Sequence, residues 1–526
     1  MRIRIIGAGV MGRGIAQWAA TAGHTVELAD AHKEAVGDAI AFVTDMLARA
    51  AGKHRITSED AKAAAQRLIP LDDPAAASQD VELVIEAVLE DLDVKAELFQ
   101  QLERILPART VLATNTSSLP VTQIGARLSD PSRLVGLHFF NPVPLMKIVE
   151  VIPGELTRPD IPPALVKLVQ ETGHRAVTVA DTPGFLINHA GRGLATEAFA
   201  LLEESVADPL GIDQIARDVL GLRMGPFELM DLTGLDVSAA VIDSIWRGFR
   251  YSDRLRASYL TPNRVAAGLY GRKTGRGFYS YAPDAAPSAE EPITGDADRP
   301  VQVAGDGPDA HALRRALTQA GANLSASDQA IVLVPTWGTT VAAAVFADGL
   351  PTRRTLGIDP LSLDTPRRVL AATPATDPDV VHDARAVLAR SGTSASVVRD
   401  TAGSVAQRLL SSIVSVAASI AEHSIAAPED IDAAVTVGLG YPHGPLAWGE
   451  LIGGRRLLSL QEGLHRTTGD PRYRPTRWVT ERVQLGLPSP LTIRRSKECR
   501  TCAGGRRWWR PAGRGSASSG RSPPRR

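Results

Sequence analysis

Cysteine is almost absent from this 526-residue sequence, because both cysteines, Cys499 and Cys502, stand near the C-terminus. A disulfide framework is therefore excluded for residues 1–487, which favours a reducing, cytoplasmic location. The sequence also lacks an uninterrupted apolar run approaching the ~20 residues of a membrane span. Met1 is not followed by the apolar stretch and cleavage site of a secretory signal. We therefore expect a cytoplasmic protein with no membrane partner.

Net charge is lacking as well, since 58 basic residues balance 58 acidic residues. A nucleic-acid-binding protein usually has a basic excess, so no nucleic-acid partner is predicted. Hydrophobic residues make up 44% and charged residues 22% of the chain, which is ordinary for a globular protein. The length predicts about three or four domains.

The charge is unevenly distributed, because residues 489–526 hold eleven basic residues and one acidic residue, Glu498. This segment is rich in Gly, Ser and Pro, so a disordered basic tail is predicted over 488–526. A polyanion-binding arm and a zinc site at Cys499-x-x-Cys502 are alternative interpretations. Two cysteines supply only half of the four ligands of structural zinc, so no metal is predicted and a solvated tail is favoured.

The N-terminus has the order of a dinucleotide-binding unit: strand, glycine turn, helix, strand and acidic residue. The segments are Ile3–Ile6, Gly7-Ala-Gly9-Val-Met-Gly12, Ile15–Ala22, Thr25–Ala29 and Asp30. Gly7 permits a tight turn, Gly9 lets the backbone approach a pyrophosphate, and Gly12 allows close helix packing. Asp30 can accept hydrogen bonds from ribose hydroxyls and would repel a 2′-phosphate, which favours NAD over NADP.

Alternating strands and helices continue to about residue 180. The predicted strands are Val81–Ala87, Val111–Thr114, Leu134–Phe140, Ile148–Val151 and Ala176–Val179, with helices at about 95–106 and 162–173. This pattern predicts a doubly wound, Rossmann-like α/β domain over residues 1–180. Such a fold is shared by many enzyme classes and does not by itself define a reaction.

Several separate motifs resemble those of the L-3-hydroxyacyl-CoA dehydrogenase family, and its 3-hydroxybutyryl-CoA and 3-hydroxyadipyl-CoA enzymes in particular. They are GAGVMGRGIAQ near the start, Asn115-Thr-Ser117-Ser-Leu, His138-Phe-Phe-Asn-Pro to Glu150, DTPGFLIN at 181–188, and 271–281. The resemblance covers residues 1–281 and implies an all-α domain over 181–281. It also implies NAD as cofactor and a hydride-transfer oxidation of (S)-3-hydroxyacyl-CoA to 3-oxoacyl-CoA.

The resemblance also implies roles for individual residues. His138 would be the general base, with Glu150 orienting its imidazole, and Ser117 and Asn188 would complete the polar cluster around the substrate oxygen. Imidazole suits this role because it exchanges a proton near neutral pH. By the same resemblance, three further residues match cofactor-contacting positions, namely Glu90, Lys95 and Asn115. One departure is His189, which stands where the family commonly has a basic residue.

Two other functions are open at this point. A CoA-independent β-hydroxyacid dehydrogenase would share the fold, but it would use a helix lysine as the catalytic group. A non-catalytic, NAD-binding structural relative would need neither His138 nor Glu150. The His138 motif disfavours the CoA-independent dehydrogenase. The complete polar set, Ser117, His138, Glu150 and Asn188, disfavours the non-catalytic relative.

Residues 400–445 repeat residues 181–226 without a gap, at a constant offset of 219. The repeat predicts a second all-α copy over 400–487, preceded by a linker at 282–300 and a degenerate α/β segment at 301–399. That segment lacks a glycine-rich turn, and Gln407 replaces Asn188, so no catalysis is expected in the second copy. The two helical copies are expected to form an internal pseudo-dimer, and an ordinary homo-oligomer interface is the alternative.

Overall fold

The structure is a computed structural model, and it describes residues 1–284, 290, 292–390 and 392–489. Most of the basic tail predicted from the sequence, including Cys499 and Cys502, lies outside the described residues. In the part of the chain that is described, no cluster of three or more His, Cys, Asp or Glu side chains could hold a metal ion.

The N-terminal domain contains an eight-stranded sheet. Its strands are β1 (Arg2–Ile6), β2 (Thr25–Ala29), β3 (Leu68–Leu71), β4 (Val81–Glu86), β5 (Val111–Thr114), β6 (Leu134–Phe139), β7 (Ile148–Pro153) and β8 (Arg175–Thr178). Their order in the sheet is β3-β2-β1-β4-β5-β6-β7-β8. All neighbouring strands are parallel except β6 and β7, which are antiparallel. The predicted doubly wound fold is confirmed.

Helices cover both faces of this sheet, which explains why most of its strands are apolar on both sides. They are α1 (Val10–Thr21), α2 (Lys33–Gly52), α3 (Ser58–Gln66), α4 (Leu92–Ile105), α5 (Val121–Gly125) and α6 (Ile161–Glu171). α4 begins three residues before the predicted start, because the Asp91 carboxylate caps the backbone N–H groups of Asp93 and Val94. β3 was missed because it is short and two of its four residues are exposed.

The first helical domain follows the sheet. Its helices are α7 (Ile187–Ala190), α8 (Arg192–Glu203), α9 (Pro209–Asp218), α10 (Pro226–Thr233), α11 (Leu235–Gly248) and α12 (Leu260–Ala266). Residues 271–281 fold back onto α10, where the Asp231 carboxylate accepts hydrogen bonds from the backbone N–H groups of Phe278 and Tyr279.

A second sheet of five strands follows, and it reproduces five of the eight strands of the first. Its strands are β9 (Val301–Val303), β10 (Ile331–Pro335), β11 (Thr355–Ile358), β12 (Arg367–Ala372) and β13 (Ser394–Arg399), with helices α13 (Pro308–Gln319), α14 (Val341–Asp348) and α15 (Pro378–Ala389). β11 and β12 are the antiparallel neighbours. Order, direction and connecting helices match β4 to β8, so among the described residues the second copy has no equivalent of β1 to β3. It therefore lacks the unit that contains the glycine turn.

The second helical domain contains α16 (Ser404–Glu422), α17 (Pro428–Gly438), α18 (Pro445–Ile452), α19 (Gly454–Thr468) and α20 (Arg477–Leu485). Of the described helices, α16 alone has the length and apolar composition to cross a membrane, with a mean hydropathy of 1.4. However, 89% of that stretch is buried inside the protein, so α16 is a core helix here.

The two copies pack around a pseudo-twofold axis. α8 lies against α16 so closely that a Cβ on Gly193 would come within 2.8 Å of the Ile413 Cα. Two hydrogen bonds are related by the sequence offset of 219, namely Ala180 N–H to Ile425 O and Arg399 N–H to Val206 O. In the same way α17 packs on β7 and β8, while α9 packs on β12 and β13. Each helical domain thus contacts the sheet of the other copy.

Part of the predicted linker is packed against the second sheet domain. The backbone N–H of Asp296 and the Arg299 guanidinium both donate to the Asp383 carboxylate of α15. Gly295 lies against the His382 carbonyl with a φ of +125°, a conformation that favours glycine. This end of the 282–300 segment is therefore held by specific contacts.

Candidate active site

The turn between β1 and α1 has the geometry of a dinucleotide-binding loop. Gly7 has a φ of +106°, and a Cβ on Gly12 would lie 1.6 Å from the Gly7 carbonyl oxygen. A Cβ on Gly9 would meet nothing within 4 Å, so space is left beside the N-terminus of α1. A pyrophosphate would fit there, since helix N-termini favour anions.

Asp30 lies at the end of β2, next to this turn. One carboxylate oxygen accepts a hydrogen bond from the Ala8 N–H at 2.7 Å, and the other accepts from the His32 N–H at 2.9 Å. The carboxylate is therefore fixed at the position where a ribose would follow the pyrophosphate. The residues present fit NAD.

His138 and Glu150 face each other across the antiparallel pair β6 and β7. The His138 Nδ1 lies 2.6 Å from Glu150 Oε2, and both side chains are buried. Glu150 Oε1 accepts hydrogen bonds from the backbone N–H groups of Leu186 and Ile187, at 3.0 and 2.8 Å. Glu150 can therefore only accept from Nδ1–H, which leaves Nε2 as the basic nitrogen.

Two aromatic rings pack against the His138 imidazole. The ring centroid of Phe140 lies at 4.3 Å and that of Phe185 at 5.8 Å. Phe185 has a positive φ of 50°, which bends the chain so that the next two amides reach Glu150. Sequence reasoning did not single out Phe185, although it lies within the DTPGFLIN motif.

Ser117 lies in the turn after β5, and Glu90 holds this turn. Glu90 Oε1 accepts from the backbone N–H groups of Ser117 and Ser118, both at 3.0 Å, and from the Thr116 hydroxyl at 2.6 Å. Burial opposes ionisation of Glu90, but these hydrogen bonds and the Lys95 ammonium outweigh it and lower its pKa. Glu90 is thus a charged anchor for the Ser117 turn.

Lys95 is almost completely buried between two carboxylates. Its Nζ lies 2.5 Å from Glu86 Oε1 and 3.2 Å from Glu90 Oε2. Burial raises the pKa of Glu86, against the influence of Lys95 and of a hydrogen bond from Thr114. Sequence reasoning missed Glu86; a carboxylate at the end of an apolar strand, nine residues before a lysine, was the available signal.

The two asparagines are placed by different contacts. Asn115 Oδ1 accepts from the Phe139 N–H at 2.8 Å, which joins the ends of β5 and β6. Asn188 is the second residue of α7 and directly follows the amides that bind Glu150. The predicted polar residues are therefore gathered at the ends of β5 and β6 and at the start of the helical domain.

The second copy has lost this arrangement. Strand pairing matches Thr114–Gly136 with Val334–Gly357, so Trp337 and Asp359 occupy the positions of Ser117 and His138. The Asp359 N–H donates to the Val369 carbonyl, so Val369 lies opposite Asp359 as Glu150 lies opposite His138. The position of Glu150 is therefore apolar in the second copy. Gln407, the counterpart of Asn188, donates to the buried Asp359 carboxylate at 3.0 Å. No base–carboxylate pair remains there.

A dinucleotide turn next to a buried imidazole–carboxylate pair defines an NAD-dependent oxidoreductase. The sequence model of the 3-hydroxyacyl-CoA dehydrogenase NAD-binding domain matches residues 2–182, and that of the C-terminal domain matches residues 184–281 and 403–493. The chain belongs to the 3-hydroxyacyl-CoA dehydrogenase family. This confirms the resemblance inferred from the motifs, together with NAD as cofactor.

Individual relatives agree with this assignment. A 3-hydroxyadipyl-CoA dehydrogenase of Escherichia coli is 34% identical over 92% of this chain and 97% of its own length. A probable 3-hydroxybutyryl-CoA dehydrogenase of Bacillus subtilis is 39% identical over 53% of this chain and 97% of its own. A crystal structure of an Escherichia coli 3-hydroxybutyryl-CoA dehydrogenase covers 92% of this chain and 98% of its own, with 34% identity and a TM-score of 0.82.

Proposed function

We propose that this chain oxidises (S)-3-hydroxyacyl-CoA to 3-oxoacyl-CoA with NAD, acting on short-chain substrates such as the 3-hydroxybutyryl or 3-hydroxyadipyl thioester. The observation that carries the proposal is the His138–Glu150 pair, whose orientation leaves Nε2 free to accept a proton. The names of the relatives support the substrate class.

In this reaction His138 Nε2 takes the proton of the 3-hydroxyl group. The bound nicotinamide supplies the acceptor for the hydride that leaves C3. Glu150 stabilises the imidazolium that results, because its carboxylate already accepts from Nδ1–H and is held by two backbone amides. The same pair returns the proton in the reverse direction.

Ser117 and Asn188 would hydrogen-bond the substrate oxygen, and Glu90 keeps the Ser117 turn in place. As the residues of the cofactor site we propose Gly7, Gly9, Gly12, Asp30, Glu90, Lys95 and Asn115. Lys95 is only 1% exposed, so its contribution is to fix Glu90 and the Ser117 turn under the cofactor.

The second copy serves as a built-in partner for the first in this proposal. The domains are then residues 1–180, 181–281, 301–399 and 400–487, with a linker at 282–300, in one cytoplasmic chain. Gly438 packs on Ile187, and Leu439 lies against Gly191, so α17 supports the segment that contains Asn188. A single-copy enzyme would need a second subunit for this support.

A buried ion cluster joins the copies on one side of the pseudo-twofold axis. Arg408 bonds to Glu197 and Glu204, both at 2.6 Å, and Glu197 also accepts from Tyr473 at 2.8 Å. At the equivalent positions on the other side, His189 replaces Arg408 and Val416 replaces Glu197. Burial lowers the pKa of His189 to about 3, so the His189 imidazole is uncharged. A pair of identical copies would leave charges unmatched, which supports pairing between the two different copies.

The catalytic proposal is tested by following NADH formation with His138→Ala. Loss of the general base should lower kcat by about 10²–10⁴, while NAD affinity stays within about twofold of wild type. The exposed His443 of the second copy provides the matched control, His443→Ala, which should be fully active. Loss of NAD binding together with activity would show that His138 is structural.

The pairing proposal is tested by sedimentation of the purified chain. A closed pseudo-dimer predicts a particle with the mass of one chain, 55.8 kDa, or an oligomer that leaves α8 paired with α16. A dimer joined through the first helical copies of two chains would contradict it.

A further inference from the structure

Trp18 is a buried residue of α1, one helical turn after Gly14. Its indole meets the Phe139 ring edge-on, with 4.8 Å between the ring centroids. Phe139 directly follows His138 in β6, and consecutive side chains of a strand point to opposite faces of the sheet. Trp18 therefore packs against the end of β6 from the face opposite the imidazole. α1 is also the helix whose N-terminus lies beside the proposed pyrophosphate position.

The loop 140–147, which joins β6 to β7, packs against the same helix. Val143 is buried, and a Cβ on Gly14 would lie 3.0 Å from its side chain. The Val143 carbonyl oxygen lies 3.3 Å from His174 Nε2, which acts as the donor because a carbonyl oxygen can only accept. α1 thus contacts both the end of β6 and the loop that follows it.

A hydrogen bond fixes the orientation of the indole. Trp18 Nε1 donates to Thr172 Oγ1 at 2.8 Å, and the Thr172 hydroxyl donates to the Val169 carbonyl oxygen at 2.7 Å. Thr172 Oγ1 also lies 3.2 Å from His174 Nδ1, so the indole and the imidazole share this partner. A buried tryptophan whose N–H group is bonded in this way has little freedom to turn. Trp18 is therefore a rigid spacer between α1 and β6.

These contacts accompany the copy with the imidazole–carboxylate pair. Among the described residues the second copy has no equivalent of α1. Strand pairing places Pro360 at the position of Phe139 and Thr393 at that of His174. Neither residue has an aromatic ring. The aromatic support of β6 thus has no counterpart in the described part of the copy that has lost the base.

We infer that Trp18 is a positioning residue, which sets the distance between the helix that binds the cofactor and the strand that presents His138. Reacting atoms must approach to about 3–3.5 Å, and a displacement of about 1 Å can lower a rate by about 10²-fold. Because α1 places the cofactor and β6 places the base, the side chain between them controls this approach. The inference rests on the proposed function, since it concerns proton and hydride transfer at that site.

The test measures the single-turnover rate of NADH formation, with enzyme and NAD in excess over 3-hydroxybutyryl-CoA, because this rate reports the chemical step without product release. Trp18→Leu removes the ring contact and the hydrogen bond, and it should lower the rate by about 10- to 100-fold. Titration should still show one NAD per chain, with an affinity within about threefold of wild type, since Trp18 lies about 12 Å along the axis from the first residue of α1. Trp18→Phe keeps a ring against Phe139 and should recover to within about fivefold of wild type.

Trp448→Leu is the matched control. It removes a tryptophan of α18 in the second copy that is 7% exposed, against 4% for Trp18. Both substitutions create a cavity in a packed core, so both should lower Tm by a similar amount. Measured well below its Tm, the control should keep the wild-type single-turnover rate.

The inference is overturned if Trp18→Leu keeps the wild-type rate, if Trp448→Leu loses as much, or if NAD affinity falls as far as the rate does. Should Trp18→Leu not fold, Trp18→Phe decides: a loss of about two- to fivefold with NAD affinity unchanged supports the inference, and an unchanged rate overturns it. If wild type forms no NADH from 3-hydroxybutyryl-CoA, the proposed function fails. If wild type is active and the Trp18 variants match the control, the proposed function stands and the role of Trp18 does not.

Discussion

Glu150→Gln replaces one oxygen by an NH2 group with almost no change in shape. In wild type, Oε1 accepts from two backbone N–H groups and Oε2 accepts from His138 Nδ1. The amide has one accepting oxygen and one donating nitrogen, so it cannot satisfy all three donors. Either the two backbone amides or the imidazole must lose its acceptor.

The backbone amides decide the outcome. Turning the NH2 group toward Leu186 and Ile187 would leave two buried N–H donors unpaired, at about 1–3 kcal/mol each. The oxygen will therefore stay on the backbone and the NH2 group will face His138. Nδ1 must then accept, the ring proton moves to Nε2, and the basic nitrogen is lost. The free-energy difference between the two amide orientations sets the small fraction of enzyme that keeps a basic Nε2. Since 1.4 kcal/mol is a factor of ten, this difference predicts a loss of about 10²–10⁴ in kcat.

The assay is NADH formation with 3-hydroxybutyryl-CoA at saturating substrate, with NAD affinity measured separately by titration. NAD affinity and Tm should be close to wild type, because the two backbone contacts persist. Glu103→Gln is a matched control: its carboxylate also accepts backbone N–H groups, from Ser129 and Asp130, but makes no hydrogen bond to His138 or Glu150. Activity within about threefold of wild type for Glu150→Gln would refute the tautomer argument.

Three further outcomes follow from the structure. Asp30→Ala should relax the preference for NAD over NADP in kcat/KM, and an unchanged preference would remove the role given to this carboxylate. Arg408→Met leaves the buried Glu197 without its closest cation and should destabilise the chain by about 3–5 kcal/mol, measured as a lower Tm. The double variant with Glu197→Leu should largely restore the Tm, and no restoration would mean that the two residues are not coupled. Burial raises the pKa of Asp359 to about 6 from 3.8. Between pH 4 and 6 the folded state therefore holds a proton that the unfolded state releases, so stability falls as the pH rises through this range and stays lower above it. Asp359→Asn should raise Tm at pH 8 by the equivalent of up to about 3 kcal/mol, change it little at pH 4, and leave activity intact.

The sequence alone predicted the features whose chemistry depends on near neighbours in the chain. The glycine turn is one, because Gly7, Gly9 and Gly12 act on the backbone of a single strand–helix connection. The His138 and Glu150 motif is another, since both residues belong to one β-hairpin-like pair, and the motif was recognisable as a unit. The duplication was also readable, because 400–445 repeats 181–226 without a gap.

The predicted boundaries differ from those of the structure more than the predicted elements do, for local reasons. α4 started earlier than its apolar pattern because Asp91 caps it, and part of the linker was held by Asp383. The sequence predicted a degenerate α/β unit at 301–399. Its equivalence to β4 through β8 follows only from the strand order and direction in the structure. A parallel neighbour can lie anywhere along the chain, and sequence pattern does not record it.

Tertiary structure decided what the side chains do together. Glu86, Glu90 and Lys95 form one network under the Ser117 turn in which Glu86 and Lys95 are buried, and Arg408 bonds to acidic partners more than 200 residues away. Such contacts depend on how two domains fold onto each other, and the free energy of a charge depends on what surrounds it in space. Spacing along a chain predicts a turn or a hairpin. The burial of a side chain and its hydrogen-bond and ionic partners are determined only when the sheets and helices pack together.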